Sequence, residues 1–307
     1  MSERFDFHTH TRVSDGSLTP TELVLRAAAN KVTGFALTDH DTVGGIAEAR
    51  AAGAAHGIEV IAGIEISVSE NDGKRGLHVL GLGIDDASAA LLARLDELQR
   101  GREGRAARIV AHLQRAGIDI TLAQVEAESG GGAIGRPHVA RALVAVGACV
   151  DVEDAFAKFL RRGKAAFEPN TAFSAGEAIG LVHAAGGVAV LAHPPLSAGI
   201  DGPGGLAAFV ERLLPLGLDG LELWHPSHKA TTVRKLGRIA RAHGLLETGG
   251  SDFHGSDRPD VEIGRGRGNK LHIGRDVRDA LELRIAQRRA ALELTATGGE
   301  SNLGRPV

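Results

Sequence analysis

Side chains with metal-binding chemistry stand where short apolar runs of this chain stop. His8 and His10 follow Phe5-Asp6-Phe7, and Asp15, His40, Glu65, His78, His193, Asp252 and His254 complete a set of nine. No ordinary core needs so many such groups at its margins. Six imidazoles and three carboxylates without a thiol suit Zn, Mn or Fe in mixed nitrogen and oxygen shells, with water in the open positions. The pattern reads as a hydrolytic metalloenzyme with more than one ion.

The apolar runs themselves define the fold class. Arg4 to Phe7, Gly34 to Thr38, Glu59 to Ile64, His78 to Gly83, Gly187 to Ala192, Gly220 to Trp224 and Leu245 to Gly249 are short and apolar, many rich in β-branched residues, and alanine-rich stretches with helical spacing separate many of them. That alternation belongs to βα units around a mostly parallel sheet, and seven strands suggest a barrel. Side chains at the carboxyl ends of parallel strands converge on one face, so most of the nine share a rim. His8 and His10 flank Thr9, and a period of two points both rings to the same side. His78 opens its strand, so it reaches the rim only if that strand is antiparallel or enters from above. Asp39 and Asp41 are assigned to support of His40, because metal-binding imidazoles donate their other N–H to a carboxylate or carbonyl.

The rhythm breaks after Ile84 and resumes near Ala175. The expected organisation is a discontinuous barrel over 1–86 and 174–295, an inserted helical subdomain over 87–173 and a flexible tail over 296–307. Thr19-Pro20-Thr21-Glu22 carries a capping box and an N1 proline, which predicts a helix from about Pro20 to Asn30. A long helix from Ala87 to Ala116 should stop at Gly117. A Gly130 to Gly132 loop then precedes a helix opened by Arg136-Pro137-His138, and a terminal helix is expected over Asp276 to Leu294.

At 307 residues and 43% hydrophobic content the chain can bury a large core, but aromatics are only 3% and there is no Tyr. Aliphatic residues must therefore fill the interior, and a Tyr nucleophile or acid is excluded. A net charge of −3 argues against a global field built to grip long nucleic acid. The single Cys149, among Val146, Ala148 and Val150, reads as a small apolar filler and excludes an internal disulfide framework. With no signal-peptide pattern and no long apolar span, a cytoplasmic protein without membrane association is expected.

His8-Thr9-His10, Ser14-Asp15-Gly16, Thr38-Asp39-His40-Asp41, Gly63-Ile64-Glu65, His78, Ala192-His193-Pro194 and Gly250-Ser251-Asp252-Phe253-His254 together resemble the PHP (polymerase and histidinol phosphatase) family. The likeness covers about Glu3 to Ile84 and Ala175 to Gly255. It extends into Gly135-Arg136-Pro137-His138-Val139-Ala140-Arg141 in the manner of bacterial members acting on 3′,5′-nucleotide bisphosphates. The resemblance implies a distorted seven-stranded α/β barrel holding three divalent ions, commonly Mn, with Fe or Zn possible in such ligands. It implies one ion on His8, His10, Glu65 and Asp252, a second on Glu65, His78 and His193, and a third on Asp15, His40 and His254.

Three divalent ions against three carboxylates leave a positive cluster, which favours a phosphate dianion over a neutral amide and points to phosphoester hydrolysis. Arg102 and Arg105, with Arg108 and His112 near the same helix face, together with Gly135, Arg136 and His138 at a helix start, are candidates for binding a second phosphate. The alternative for Arg102, Arg105 and Arg108 is a solvated face balanced by Asp96, Glu97 and Glu103. Arg12 and Ser14, between two ligands, are candidates for touching the reacting phosphate. His225 at the sixth strand end is a candidate general acid, and Glu222 belongs to the barrel or to support of the ligands.

The leading expectation is a phosphatase releasing the 3′-phosphate of nucleoside 3′,5′-bisphosphates such as 3′-phosphoadenosine 5′-phosphate. A 5′-to-3′ exonuclease on short RNA or DNA is the near alternative, and an Arg-lined groove would favour it. Histidinol phosphatase fits the Arg-rich insertion less well. A cyclic-amide hydrolase would need a bridging Lys, and no Lys stands at a strand end. A non-catalytic metal-binding regulatory module would be expected to lack ligands, and none is lost. The expected partner is a small nucleotide, or a short oligonucleotide under the alternative; oligomeric state is left open.

Overall fold

The computed structural model describes residues 3–70, 75–129, 134–169, 172–197 and 205–300. In chain order these form β1 (Phe5–Thr9), α1 (Pro20–Ala29), β2 (Gly34–Leu37), α2 (Ile46–His56), β3 (Glu59–Glu70), β4 (Arg75–Leu82), α3 (Ala89–Arg115), α4 (Leu122–Ser129), α5 (Arg136–Ala145) and α6 (Val152–Ala155). There follow α7 (Ala175–Ala184), β5 (Val188–Leu191), α8 (Gly205–Leu213), β6 (Gly220–Trp224), α9 (Ala230–Ala242), β7 (Leu246–Gly249), the short pair β8 (Val261–Glu262) and β9 (Gly266–Arg267), and α10 (Arg275–Glu300). α1 starts as its sequence dictates: Thr19 Oγ1 accepts from the Glu22 N–H while Glu22 accepts from the Thr19 N–H.

Seven strands form one sheet in the order β1 to β7. β1–β2–β3 and β5–β6–β7 are parallel, whereas β4 runs antiparallel to both its neighbours. The sheet curls until the segment after β7 meets β1, where the Asp252 N–H donates to the His8 carbonyl and the His10 N–H to the Phe253 carbonyl. This is the distorted seven-stranded α/β barrel expected. At this seam Gly250 is required, since a Cβ would lie 2.3 Å from the Cβ of His8.

Phe5, Phe7, Leu80, Leu82, Val188 and Val190 pack inside the barrel, with Val277 and Leu281 of α10 against them. A larger apolar layer, including Phe35, Ile64, Ile66, Val79, Ile179, Phe209 and Leu221, joins the outer sheet face to the helices. β1 shifts register against β2 between Asp6 and Thr9, and β6 against β7 between Glu222 and Trp224. Such irregularities re-aim side chains beside active sites, and here they flank His8 and His225.

The segment between β4 and β5 is helical and has a second core of its own, including Ile109, Leu113, Val125, Val139, Leu143 and Leu160. Cys149 is buried in that core, as a small apolar filler should be. The first half of α3 behaves differently: Leu91, Leu95 and Leu98 pack on the barrel layer. One helix thus roots the insertion in the barrel.

Three expectations need correction. β3 does not close at Glu65 and β4 does not open at His78. Both strands extend as a hairpin beyond the rim, with Ser67 opposite His78, because the antiparallel ladder runs from Gly63–Leu82 out to Glu70–Arg75. Helix α10 continues through Glu300, so the tail expected from 296 begins in helix and the rest lies outside the described residues. The Gly130 to Gly132 loop also lies outside the described residues. No helix among the described residues is long and apolar enough to cross a membrane.

Candidate metal centre

Glu65 is the hub of the rim. Its Oε2 lies 3.2 Å from His8 Nε2, 3.1 Å from His10 Nε2 and 3.2 Å from His40 Nδ1. Its Oε1 lies 2.8 Å from His78 Nδ1 and 3.1 Å from His193 Nε2. Asp252 Oδ1 stands 3.5 Å from His8 Nε2 and 3.3 Å from His10 Nε2. Asp15 spreads its oxygens toward His254 Nε2 at 3.4 Å, His10 Nδ1 at 3.7 Å and His40 Nε2 at 3.8 Å. All nine side chains therefore meet, although they are drawn from residues 8 to 254.

Three groups bring their ligand atoms within 4.8 Å of one another: His8, His10, Glu65 and Asp252; His10, Asp15, His40 and His254; and His40, Glu65 and His78. The first is the set implied by the family resemblance. The second adds His10 to its implied set. The third holds His40 in place of the implied His193, which faces the same Glu65 at 3.1 Å.

The donor chemistry fits divalent cations. Nε2 of His8, both ring nitrogens of His10, Nδ1 of His40 and Nδ1 of His193 are buried with no hydrogen-bond partner, a cost of about 1–3 kcal/mol each unless another group satisfies them. Burial alone would raise the carboxyls of Glu65, Asp252 and Asp15, yet the surrounding imidazoles hold all three well below the usual carboxylate range. Burial likewise opposes charge on His10, but the Asp252 and Glu65 carboxylates beside its ring push it up to about 10. For His40 burial wins and its pKa falls to about 3. Metal ions would satisfy one nitrogen of each imidazole they bind and the three carboxylates together, and all nine residues are placed to hold them.

Backbone strain accompanies the ligands. Asp41, His193 and Asp252 adopt positive φ values of 53°, 28° and 51°, a region that non-glycine residues enter at a cost of roughly 1–3 kcal/mol and that clusters at functional sites.

The supporting carboxylates differ in part from expectation. Glu222, on β6, accepts from His8 Nδ1 at 2.9 Å and from the His193 N–H at 2.6 Å, so the His8 Nε2 lone pair faces the centre. Asp39 and Asp41 do not support the His40 ring, whose nitrogens face Glu65 and Asp15. Asp39 instead holds the loop before Asp15, accepting from the Thr11 N–H, Thr11 Oγ1 and Ser14 Oγ. Asp41 accepts from the Ser67 N–H and pairs with Arg102. The physical reason is direction: alternate residues after β2 point to different neighbours, and sequence adjacency does not make a hydrogen bond.

Arg102, Arg105, Gly135, Arg136 and His138 line one cavity with Ser14, Asp15, His40, Ser67 and His78. Metal ligands form one wall and the insertion forms the other. Arg102 is only 7% exposed and bonds Asp41 and Ser67 Oγ. Arg105 donates to the Glu168 carbonyl, and burial beside Arg136 and Arg102 pushes it down to about 9. Arg136 lies over the Phe156 ring. His138 accepts the Gly135 N–H at Nδ1, and burial pushes its pKa down to about 4, so a neutral ring carries its proton on Nε2. The crowded guanidinium groups remain cationic at neutral pH and line the cavity beside the metal-type side chains. The solvated-face alternative fails for Arg102 and Arg105, while Arg108 and His112 are taken up by the Glu168 carboxylate.

Arg12 lies apart from the centre, and His225 borders it from another side. Arg12 is exposed and lines a different cavity with Arg141 and Asp257, although Ser14 does face the centre. His225 lines a third cavity with Trp224 and His228, and its Nε2 points at Asp252 Oδ2, 3.2 Å away. Sequence reasoning missed Glu168 and Arg258, the latter paired with Asp252. Neither sits in a pattern that announces it; only the folded chain brings them to their partners.

A seven-stranded α/β barrel whose rim gathers six imidazoles and three carboxylates has the donor set of a metal-dependent hydrolase. The PHP domain model matches residues 6–126. The chain is 40% identical over 267 residues to a 3′,5′-nucleoside bisphosphate phosphatase of Chromobacterium violaceum, covering 84% of this chain and 90% of that one. It is 38% identical over 258 residues to a 5′-3′ exoribonuclease of Haemophilus influenzae, covering 83% and 91%. A crystal structure from Bifidobacterium adolescentis, assigned to the metal-dependent phosphoesterases, superposes with a TM-score of 0.80 at 33% identity over 92% of this chain and 97% of that one. The chain belongs to the PHP domain family, and phosphoester hydrolysis with metal dependence is the chemistry that this membership supports.

Proposed function

We propose that this protein is a phosphatase that removes the 3′-phosphate of nucleoside 3′,5′-bisphosphates, such as 3′-phosphoadenosine 5′-phosphate, leaving the 5′-monophosphate. The observation that carries this reading is the shared cavity, in which one wall holds metal ligands and the opposite wall a compact cluster of Arg102, Arg105 and Arg136. Two anion-binding walls facing each other suit a substrate with two phosphates. Three divalent ions, with Mn favoured, would activate water, orient it and neutralise charge on the phosphoryl oxygens.

The chain's own residues do the rest. Arg105 and Arg136 hold the second phosphate by charge-assisted hydrogen bonds, and Arg102, tied to Asp41, keeps that wall registered against the ligands. His138, neutral and with its Nδ1 accepting the Gly135 N–H, braces the helix start that carries Arg136. Ser14 Oγ, fixed by Asp39 at 2.7 Å, lies beside Asp15 at the edge of the reacting phosphate. The 40% identity to a nucleoside bisphosphate phosphatase supports the same substrate. The second reading, a 5′-to-3′ exonuclease on short oligonucleotides, is favoured by the 38% identity to an exoribonuclease.

Phosphate release from a nucleoside 3′,5′-bisphosphate, a 5′-mononucleotide and a short 5′-phosphorylated RNA, each with manganese and with chelator, tests the proposal. The bisphosphate should be turned over with the highest kcat/KM and only with metal. Preference for the RNA, with nucleotides released stepwise from its 5′ end, would install the second reading.

A further inference from the structure

Six of the seven strands, or the residues just beyond them, deliver metal ligands; β6 delivers none. It lies between β5, which leads to His193, and β7, which leads to Asp252. Its two inward polar residues instead touch the ligands of its neighbours. Glu222 accepts from His8 and from the His193 N–H. His225, just past the strand, meets Asp252 Oδ2 at 3.2 Å.

The tautomer of His225 follows from its other nitrogen. The Ser227 N–H donates to Nδ1 at 3.2 Å, and Ser227 Oγ lies 2.7 Å from the same atom. Nδ1 is therefore an acceptor, and the ring proton sits on Nε2, directed at Asp252. Arg258 donates to the same Oδ2 and reaches the Asp252 carbonyl at 3.4 Å. With Oδ2 held twice, Oδ1 is the only oxygen that Asp252 turns toward the Nε2 atoms of His8 and His10, at 3.5 and 3.3 Å. The side chain can neither rotate nor offer both oxygens without breaking two hydrogen bonds.

We infer that His225 and Arg258 are positioning residues that restrain Asp252 to one-oxygen ligation of the ion at His8, His10 and Glu65, and that His225 is not the proton donor to the leaving group. This rests on the metal-centre reading proposed above. A general acid must present its proton to the leaving oxygen, whereas the His225 proton is committed to a ligand carboxylate. Groups that orient metal ligands typically change affinity by about 10–100-fold when lost.

The experiment is manganese titration of metal-free protein by calorimetry and by bound-metal analysis, for the wild type and for His225→Ala, His225→Gln and Arg258→Met. Rates at saturating manganese are compared on an alkyl phosphate and on p-nitrophenyl phosphate. His225→Ala and Arg258→Met should each weaken one class of manganese site by about 10–100-fold and leave the others unchanged. His225→Gln, which retains an N–H donor at similar reach, should recover part of that loss. At saturating metal the residual rate defect should be the same for both leaving groups. Unchanged manganese affinity in Arg258→Met, or a defect of His225→Ala much greater with the alkyl leaving group, would overturn the inference. Wild-type protein that takes up no manganese would instead sink the metal-centre reading, and the two failures are distinguishable. Arg258→Met, whose parent side chain is 45% exposed, keeps the test decisive should His225→Ala fail to fold.

Discussion

The barrel rim and the inserted helices reach the same cavity by different physical routes. Rim ligands are placed by strands, whose direction and two-residue period carry His8, His10, His193 and Asp252 to one face whatever the surface does. Two arginines of the insertion are placed by side-chain pairs across the joint with the barrel, Arg102 on Asp41 and Arg141 on Asp257, while Arg105 is held within the insertion by the Glu168 carbonyl. Strand geometry supplies a centre of fixed spacing, while paired side chains supply a wall that is adjustable by substitution. Under the proposed function the rim would carry the chemistry and the insertion would select what is brought to it.

The comparison breaks first if the rim is not catalytic. Glu65→Gln removes charge from the carboxylate that five imidazoles face, and kcat should fall on the order of a thousandfold, with manganese content reduced. Retained activity in steady-state assays would show that the chemistry lies elsewhere. The next largest effect concerns the joint between the two regions. Arg102→Ala leaves Asp41 buried without its cation and should cost about 3–5 kcal/mol in thermal or denaturant unfolding. Asp41→Asn combined with Arg102→Met should cost clearly less, since neither charge is then stranded; equal costs would show that the pair does not couple the regions.

A third effect sharpens the division of labour. Arg136→Ala should raise KM for a bisphosphate about tenfold or more, with little change for a monophosphate. Equal changes for both substrates would remove the second-phosphate role. The smallest expected effect is a pH slope in metal affinity. Without metal His10 holds a proton up to about pH 10, so an ion must displace it. Affinity should rise by about tenfold per pH unit for each proton released, between pH 6 and 8. Calorimetry in buffers of different ionisation enthalpy counts those protons, and a pH-independent affinity would contradict the reading.

The same contrast explains what the sequence could show. The rim positions of His8, His10, His40, His193, Asp252 and His254 were legible because apolar runs mark strands and these residues stand at or just beyond their ends, whereas Glu65 and His78 lie inside the longer β3 and β4. His78 was legible only with the proviso that β4 reverses, which the ladder from Gly63–Leu82 to Glu70–Arg75 supplies. The lengths of β3 and β4 were not visible, since the polar alternation of Ser67 and Ser69 resembles a loop. Asp39 and Asp41 were misassigned because two adjacent carboxylates beside His40 look like its partners, whereas one holds Thr11 and the other Arg102. In the insertion Arg102, Arg105 and Arg136 could be suspected from helix spacing and an N-terminal Pro, but Glu168 could not, because a residue 60 positions from Arg108 leaves no periodic trace. Arg12 shows the limit of proximity: it lies between ligands His10 and Asp15 and still faces a different cavity.

The most direct measurement of the central claim couples metal content to turnover in one preparation. Protein stripped with chelator and reloaded with manganese should bind up to three ions per chain and regain phosphate release from a nucleoside 3′,5′-bisphosphate in proportion to its loading. A stripped protein that hydrolyses the bisphosphate at the loaded rate, or a chain that takes up no manganese, would contradict it.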